Sequence, residues 1–129
     1  MNRLEYCFDC LDGRYVFAAV NEDGIIRYTI ESTIAGLESK EGELSESTGK
    51  AFIEAVDSAK IESWDRVYGP ELSGIEDAVK WKTVLIRDDK EYVTKGEESY
   101  EPYGYEHLIA ALKLCEEKAD YFRAEAHDE

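Results

Sequence analysis

The chain of 129 residues contains only two prolines, two histidines and three cysteines, and it has no long apolar run. A membrane-spanning helix needs about 18 or more consecutive apolar residues, and no stretch of this sequence comes near that length. The N-terminus, MNRLEYCFDC, lacks the apolar segment of a secretory signal. We therefore expect a cytoplasmic protein without membrane association. The odd number of cysteines favours reduced thiols over a disulfide framework.

Common catalytic motifs are also missing from the sequence. It has no Walker-type phosphate loop, no dinucleotide-binding glycine pattern, no nucleophile elbow and no H-E-x-x-H. His107 and Cys115 are separated by roughly 12 Å along a helix axis, which is too far for a nucleophile and its base. His127 falls in the C-terminal tail. The sequence therefore favours a protein that has no catalytic residues and needs no cofactor.

The N-terminal Cys7-Phe8-Asp9-Cys10 is a C-x-x-C, a spacing that metal and redox sites use. Here it falls in an alternating strand pattern, and side chains alternate across a strand. Cys10 is predicted on the apolar face with Phe8, and Cys7 on the opposite face between two acids. Redox pairs usually open a helix, and a zinc site needs a second ligand pair. The pattern therefore predicts two unrelated thiols and no metal site.

Acidic residues are twice as numerous as basic ones, 30 against 15, so the net charge is −15. Such a charge repels nucleic acid and anionic membranes and favours a basic protein partner, although solubility alone also accounts for it. The acids cluster at Glu38–Glu46, Glu97–Glu106 and Glu116–Glu129. A run of charge is usually a solvated face. If the first two clusters meet in the fold, they form one extended negative patch.

Residues 3–32 alternate with a period of two, with turn signals at Asp12-Gly13 and at Asn21–Gly24. This segment predicts three strands in an antiparallel meander. A second hairpin is predicted from WKTVLIR and EYVTKG, which are joined by a turn at DDK. Residues 33–44 have no clean period, so we expect a loop there with at most a short helical turn.

Two amphipathic helices are predicted from apolar residues at helical spacing. The first is expected to begin at a cap supplied by Ser45, Ser47 or Thr48 and to end near Lys60. Its apolar positions are Phe52, Ala55, Val56 and Ala59. The second is expected from about Glu106 to Ala124. Its apolar stripe is Leu108, Leu112, Cys115, Ala119 and Phe122.

The order of these elements is strand-strand-strand-helix-strand-strand-helix. Because the strands come in hairpins, the sheet is expected to be mostly antiparallel, with both helices packed on one face, which is an α+β fold. We expect one domain over residues 1–129, with a frayed tail from about residue 124 to residue 129.

Aromatic residues in the second half of the chain form the candidate binding region. Trp64 and Tyr68 are predicted to cover one edge of the core. A tyrosine-rich loop around Pro102 and Gly104 either packs over the sheet or anchors a partner, because tyrosine buries area at low entropy cost. The candidate binding residues are Trp64, Tyr68, Trp81, Tyr100, Tyr103, Tyr105, Glu97, Glu98 and Glu101.

The same region resembles a loose set of small uncharacterised bacterial proteins. The resemblance lies between Phe52 and Phe122, in a W-x-x-x-Y motif, a tryptophan-bearing hairpin, a glycine, the stretch YEPYGY and a final amphipathic helix. Tyr103 stands where that set has a proline. The resemblance implies a bacterial, cytoplasmic, single-domain protein, and it assigns no activity.

Three functional hypotheses follow from these observations. We favour a non-enzymatic acidic module, like an immunity protein or an inhibitor, that engages a basic partner by electrostatic steering and aromatic anchors. The second hypothesis is a small-molecule or peptide-binding domain with a pocket beside the tyrosine-rich loop, lined by Trp64, Trp81, Tyr100 and Tyr103. The third is an enzyme that uses His107 with a neighbouring carboxylate.

Overall fold

The computed structural model describes residues 1–68, 80–97 and 100–123, which form one sheet and two helices. The strands are β1 (Arg3–Cys10), β2 (Gly13–Glu22), β3 (Ile25–Ser32), β4 (Lys40–Glu43), β5 (Val67–Tyr68), β6 (Lys80–Arg87) and β7 (Lys90–Glu97). Their order across the sheet is β4-β3-β2-β1-β6-β7-β5. Each neighbouring pair is antiparallel except β5 and β7, which are parallel. The α+β fold and the mostly antiparallel sheet are confirmed.

The three-stranded meander and the second hairpin are both present, but one turn differs from its prediction. Between β2 and β3 the turn residues Asp23 and Gly24 both have positive φ, as a type I′ turn requires. Between β6 and β7 the same is true of Asp88 and Asp89. The β1–β2 turn is instead centred on residues 11 and 12, and Gly13 pairs with Cys10 as the first residue of β2.

The prediction of a loop over residues 33–44 was wrong for its second half. Ile34 and Leu37 lie in the turn that follows β3, and their side chains are buried. After this turn, β4 pairs with β3 at one edge of the sheet. Gly42 lies so close to Tyr28 that a Cβ atom there would be 2.8 Å from the tyrosine hydroxyl. Long-range pairing builds this strand, and a four-residue charged segment gives no local periodicity to reveal it.

Helix α1 (Glu46–Ala59) begins and ends as predicted. The Ser45 side chain accepts a hydrogen bond from the Thr48 N–H, which satisfies one free donor of the first turn. Lys60 terminates the helix in a left-handed conformation with φ 53°. The face toward the sheet buries Phe52, Val56 and Ala59.

Helix α2 (Tyr105–Lys113) is much shorter than predicted. The chain turns after Lys113 and continues into a short 3₁₀ segment, Ala119–Phe122. This turn lets the Tyr105 hydroxyl donate a hydrogen bond to the Phe122 carbonyl at 3.3 Å, whereas a continuous helix would separate these residues by about 26 Å. The residues of the predicted apolar stripe are buried, but Ala119 and Phe122 reach the core after a turn and not on a continuous helix. The tail from residue 124 lies outside the described residues.

One face of the sheet is covered by α1, α2 and the segment around Phe122. The Phe122 ring lies 4.6 Å from the Tyr15 ring and 5.0 Å from the Phe8 ring, and the Phe52 ring of α1 lies 6.2 Å from the Phe17 ring. We call this side the covered face. Neither described helix has the length or the apolar run needed to cross a bilayer.

Candidate binding surface

The other side of the sheet, which we call the open face, has no described residue packed over it. Its side chains alternate with the core positions of each strand. They are Arg3, Glu5, Cys7 and Asp9 of β1; Arg14, Val16, Ala18 and Val20 of β2; Arg27, Thr29 and Glu31 of β3; Glu41 and Glu43 of β4; Lys80, Lys82, Val84 and Ile86 of β6; and Val93 and Lys95 of β7.

The open face carries two apolar patches in contact with solvent, one on β2 and one on β6 and β7, on either side of β1. Six aliphatic side chains there are half-buried between longer polar neighbours: Val16, Ala18, Val20, Val84, Ile86 and Val93. An antiparallel sheet with one solvated face normally carries polar residues on that side. Arg3 and Glu5 of β1 lie between the β2 group and the β6–β7 group, so the aliphatic side chains form two patches bordered by charged residues. Apolar patches with a polar rim are typical of surfaces that bind another molecule.

An acidic groove of about 540 Å³ lies at the β4 side of the open face. Ala18 and Val20 are part of its lining, and its acids are Glu22, Glu41 and Glu43. Two arginines of the lining, Arg3 and Arg27, neutralise part of this charge. The Arg27 guanidinium lies 3.4 Å from a Glu22 oxygen and 3.3 Å from a Glu43 oxygen. Glu41 makes no ion pair with any residue that the structure describes. Its carboxylate is therefore available to a partner.

A second cavity, of about 370 Å³, lies diagonally across the open face near β5. We call it the basic cavity, because its lining includes four cationic side chains: Arg14, Lys80, Lys82 and Lys95. The open face is thus electrically polarised, with acids at the β4 edge and cations toward β7.

Most of the aromatic residues proposed for binding belong to the core. Trp81 and Tyr105 are 3% and 1% exposed, with their ring centroids 5.1 Å apart. Trp64 packs edge-on against Trp81 at 6.1 Å, and its indole N–H donates to the Ala59 and Tyr103 carbonyls. Tyr68 stacks on Trp81 at 6.2 Å. The predicted edge cover by Trp64 and Tyr68 is present.

The tyrosine-rich loop divides into a buried residue and two exposed ones. Tyr103 is 99% exposed and Tyr100 is 48% exposed, whereas Tyr105 is in the core. The rings suggested for a pocket, Trp64, Trp81, Tyr100 and Tyr103, therefore lie in two different environments. Glu101 pairs with Arg123 at 3.1 Å, Glu97 belongs to the lining of the basic cavity, and Glu98 lies outside the described residues.

The described residues of the first two acidic clusters lie far apart in the fold, so these residues do not form one negative patch. Four strands separate β4 from β7, so Glu41 and Glu97 are roughly 24 Å apart across the sheet. Contact exists instead between the first cluster and the third. Glu116 is 4% exposed and lies 3.7 Å from the Lys40 ammonium, and its other oxygen accepts the Lys118 N–H.

The two thiols of the C-x-x-C lie in different environments. Cys7 faces the basic cavity, where its Sγ accepts a hydrogen bond from Arg14 Nε at 3.3 Å. Cys10 lies 3.7 Å from the Tyr121 hydroxyl. All three cysteines are free. Within the described ranges, no group of three or more His, Cys, Asp and Glu side chains is placed to hold a metal ion.

His107 and the buried hydroxyls offer no obvious acid–base centre. The imidazole is exposed and lies 3.6 Å from a carboxylate oxygen of its neighbour Glu106. Burial raises the pKa of Tyr6 and of Tyr105 well above the ordinary value, and their hydroxyls hydrogen-bond each other at 2.6 Å. Burial also raises the pKa of the Cys115 thiol to about 12. The two tyrosine hydroxyls and the Cys115 thiol therefore remain neutral at physiological pH and pack in the core.

The open-face residues are the part of the site that sequence reasoning missed. The signal was present, because the positions between the core residues of β2 and β6 are Val16, Ala18, Val20 and Val84, where a solvated face normally has polar residues. Comparison of the chain with protein-family models and with curated proteins gave no match. Its function is therefore argued from the site alone.

Proposed function

We propose that this protein is a non-enzymatic binding module that docks a basic protein partner on the acidic groove of its open face. The observation that carries the proposal is the groove itself, where apolar Ala18 and Val20 adjoin the carboxylates of β4. Burying this apolar lining would give affinity, and the carboxylates would select a partner that carries lysine or arginine.

The charge of the whole chain supports the same partner chemistry. A net charge of −15 produces a field that accelerates encounter with a basic protein and repels nucleic acid. Glu31, on β3 beside the groove, is exposed and makes no ion pair with another described residue. Together with Glu41 it supplies two carboxylates that no described residue neutralises through an ion pair. An immunity-like or inhibitor-like role agrees with this arrangement.

The proposal is tested by capture on the immobilised protein at low salt, followed by elution with a salt gradient. Association rates of the captured protein are then measured with two double variants. Glu31→Gln/Glu41→Gln removes the free carboxylates of the groove region, and Glu54→Gln/Glu117→Gln removes two exposed carboxylates elsewhere. Because both variants lose two negative charges, their difference reports the location of the charge and not its total.

We expect a basic protein that associates about ten-fold more slowly with the groove variant than with the control variant, and more slowly with both at higher salt. Val20→Asp should raise the dissociation rate, because it places a carboxylate on the apolar part of the groove. Equal rates for the two double variants would show that only net charge matters. Failure to capture any basic protein would also count against the proposal.

A further inference from the structure

The basic cavity is anomalous in a chain that has twice as many acids as bases. Two of its four cations have an acid beside them: Arg14 lies 3.4 Å from an Asp9 oxygen, and the strand register places Lys80 between Asp9 and Glu97. The other two cations, Lys82 and Lys95, make no ion pair with any residue in the described part of the chain. The positive charge is therefore concentrated at these two lysines.

The strand register places Lys82 directly opposite Lys95, with Cys7 on the other side of Lys82. Like charges directly opposite each other on one face of a sheet are destabilising. Acids are abundant in this chain, and one acid at either position would remove the repulsion. Local conflicts of this kind are expected mainly where a site binds something that resolves them. An anion placed between the two ammonium groups would remove this repulsion.

The size and lining of the cavity restrict the anion. About 370 Å³ is near the lower end of the range for small-molecule sites, and Val67 beside Lys95 is 52% exposed, which gives the cavity an apolar border. Two lysine ammonium groups act as point charges and together balance a dianion. A single carboxylate would leave one of them uncompensated. The remaining charge of the chain repels an extended polyanion such as nucleic acid.

We propose that the basic cavity binds the phosphate group of a small organic phosphate monoester. Lys82 and Lys95 contact the phosphate oxygens, Arg14 provides a further donor at the rim, and the organic part lies toward Val67 and Tyr68. This site is distinct from the acidic groove and does not depend on the function proposed for it.

The proposal is tested by NMR titration of the ¹⁵N-labelled full chain with inorganic phosphate, phenyl phosphate and succinate at constant ionic strength, balanced with sodium chloride. We expect saturable shifts in the amides of Cys7, Lys82, Lys95 and Gly96, with a dissociation constant of roughly 1 mM or less for phenyl phosphate. Phenyl phosphate should bind more tightly than inorganic phosphate because its ring covers Val67. Chloride should cause no saturable shift.

The variants Lys82→Gln and Lys95→Gln should each weaken phenyl phosphate binding by about five-fold or more. Lys90→Gln is the matched control, because it removes one exposed lysine from the opposite end of β7. Thermal melts of all three variants check that they are folded. Equal weakening by the control would indicate non-specific attraction and overturn the proposal, as would the absence of saturation with either phosphate. Succinate binding as tightly as phenyl phosphate would overturn the assignment to phosphate.

Discussion

The covered and open faces of the sheet are built from the same strands but differ in burial: the covered face packs in the core, and the open face contacts solvent. On the covered face, Tyr6, Phe17 and Leu85 are fully buried and belong to one core with the helices. On the open face, the residues next to them in sequence, Cys7, Ala18 and Val84, remain in contact with solvent. The covered face determines stability, and the open face is free to carry charges and apolar groups that the fold itself does not need.

The largest effect that distinguishes the two faces is expected from a pair of neighbouring residues on β6. Leu85→Ala leaves a cavity in the core and should lower the free energy of unfolding by about 2–5 kcal/mol. Val84→Ala, on the open face, should lower it by less than about 1 kcal/mol. Urea denaturation of both variants measures the difference. Equal losses would mean that the open face is packed against something in solution, such as a second copy of the chain.

The second prediction concerns the close contact between Gly96 of β7 and the Trp81 ring on β6. A Cβ atom at this position would lie 2.3 Å from the Trp81 ring, so the ring must move to accept it. Gly96→Ala should therefore cost about 1–3 kcal/mol of stability. Gly49→Ala in α1 is the opposite case, since its new Cβ would make an ordinary 3.5 Å contact with Ile26 and should stabilise the helix by about 0.5–1 kcal/mol. Thermal denaturation should show a lower melting temperature for Gly96→Ala and a higher one for Gly49→Ala.

Alkaline pH should act on the covered face before the open face is affected. The pKa values of Tyr6, Tyr15, Tyr105 and Cys115 are raised by burial in the folded state. A raised folded-state pKa gives stability that is complete below the unfolded pKa and is lost as pH rises toward the folded value. The free energy of unfolding should therefore fall above about pH 9, at up to roughly 1.4 kcal/mol per pH unit for each group.

Chemical denaturation between pH 7 and pH 10.5 measures this decline, and Tyr105→Phe sharpens it. At pH 7 the variant should be less stable by about 1–3 kcal/mol, because the buried Tyr6 hydroxyl loses its partner. Its decline above pH 10 should be shallower, since one buried ionisable group is gone. Tyr103→Phe, at a fully exposed position, should match the parent protein throughout. An unchanged slope for Tyr105→Phe would contradict the assignment of the decline to buried hydroxyls.

The smallest predicted effect compares the local potentials at two cysteines. Cys7 lies beside Arg14, whereas Cys10 lies beside Tyr121, whose hydroxyl is 3.3 Å from an Asp12 oxygen. The same thiolate attacks the carbon of anionic iodoacetate or of neutral iodoacetamide and displaces iodide. The ratio of the two rates therefore cancels differences in thiol ionisation and reports the local electrostatic potential. We expect this ratio to be about three-fold higher at Cys7 than at Cys10.

Peptide mapping by mass spectrometry after short reaction times gives both ratios from one sample. Lys82→Gln should lower the ratio at Cys7 and leave that at Cys10 unchanged, because Lys82 is the cross-strand partner of Cys7. A ratio that is the same at both cysteines would show that the basic cavity has no positive potential.

Local patterns predicted those parts of the fold that local interactions build. The alternation of β1 to β3, the cap at Ser45 and the turns at Asp23-Gly24 and Asp88-Asp89 are all encoded within a few residues of where they act. The short strands β4 and β5 could not be predicted in this way, because each exists only through pairing with a distant strand. The end of α2 was also missed, since contacts of Phe122 with β1 and β2 decide it.

The candidate site was harder to predict than the fold, for a related reason. The aromatic residues were predicted to bind a partner because tyrosine and tryptophan are enriched at interfaces. In the structure, however, Trp81 and Tyr105 are buried in the core. The basic cavity joins residues from five strands, β1, β2, β5, β6 and β7, which span most of the described chain. Only the register of those strands reveals that Lys82, Lys95 and Arg14 share one place on one face.

The shortness of the two outermost strands has a consequence for how the molecule can assemble. At one edge β4 has four residues, three of them charged, and at the other β5 has two residues within the described part of the chain. Strand-by-strand addition of another chain needs a longer and flatter edge, so growth into sheets or fibrils in the plane of the strands is disfavoured. A partner is instead expected to approach perpendicular to that plane. The partner would then contact the side chains of the open face, and the backbone hydrogen bonds of the sheet would stay within the protein.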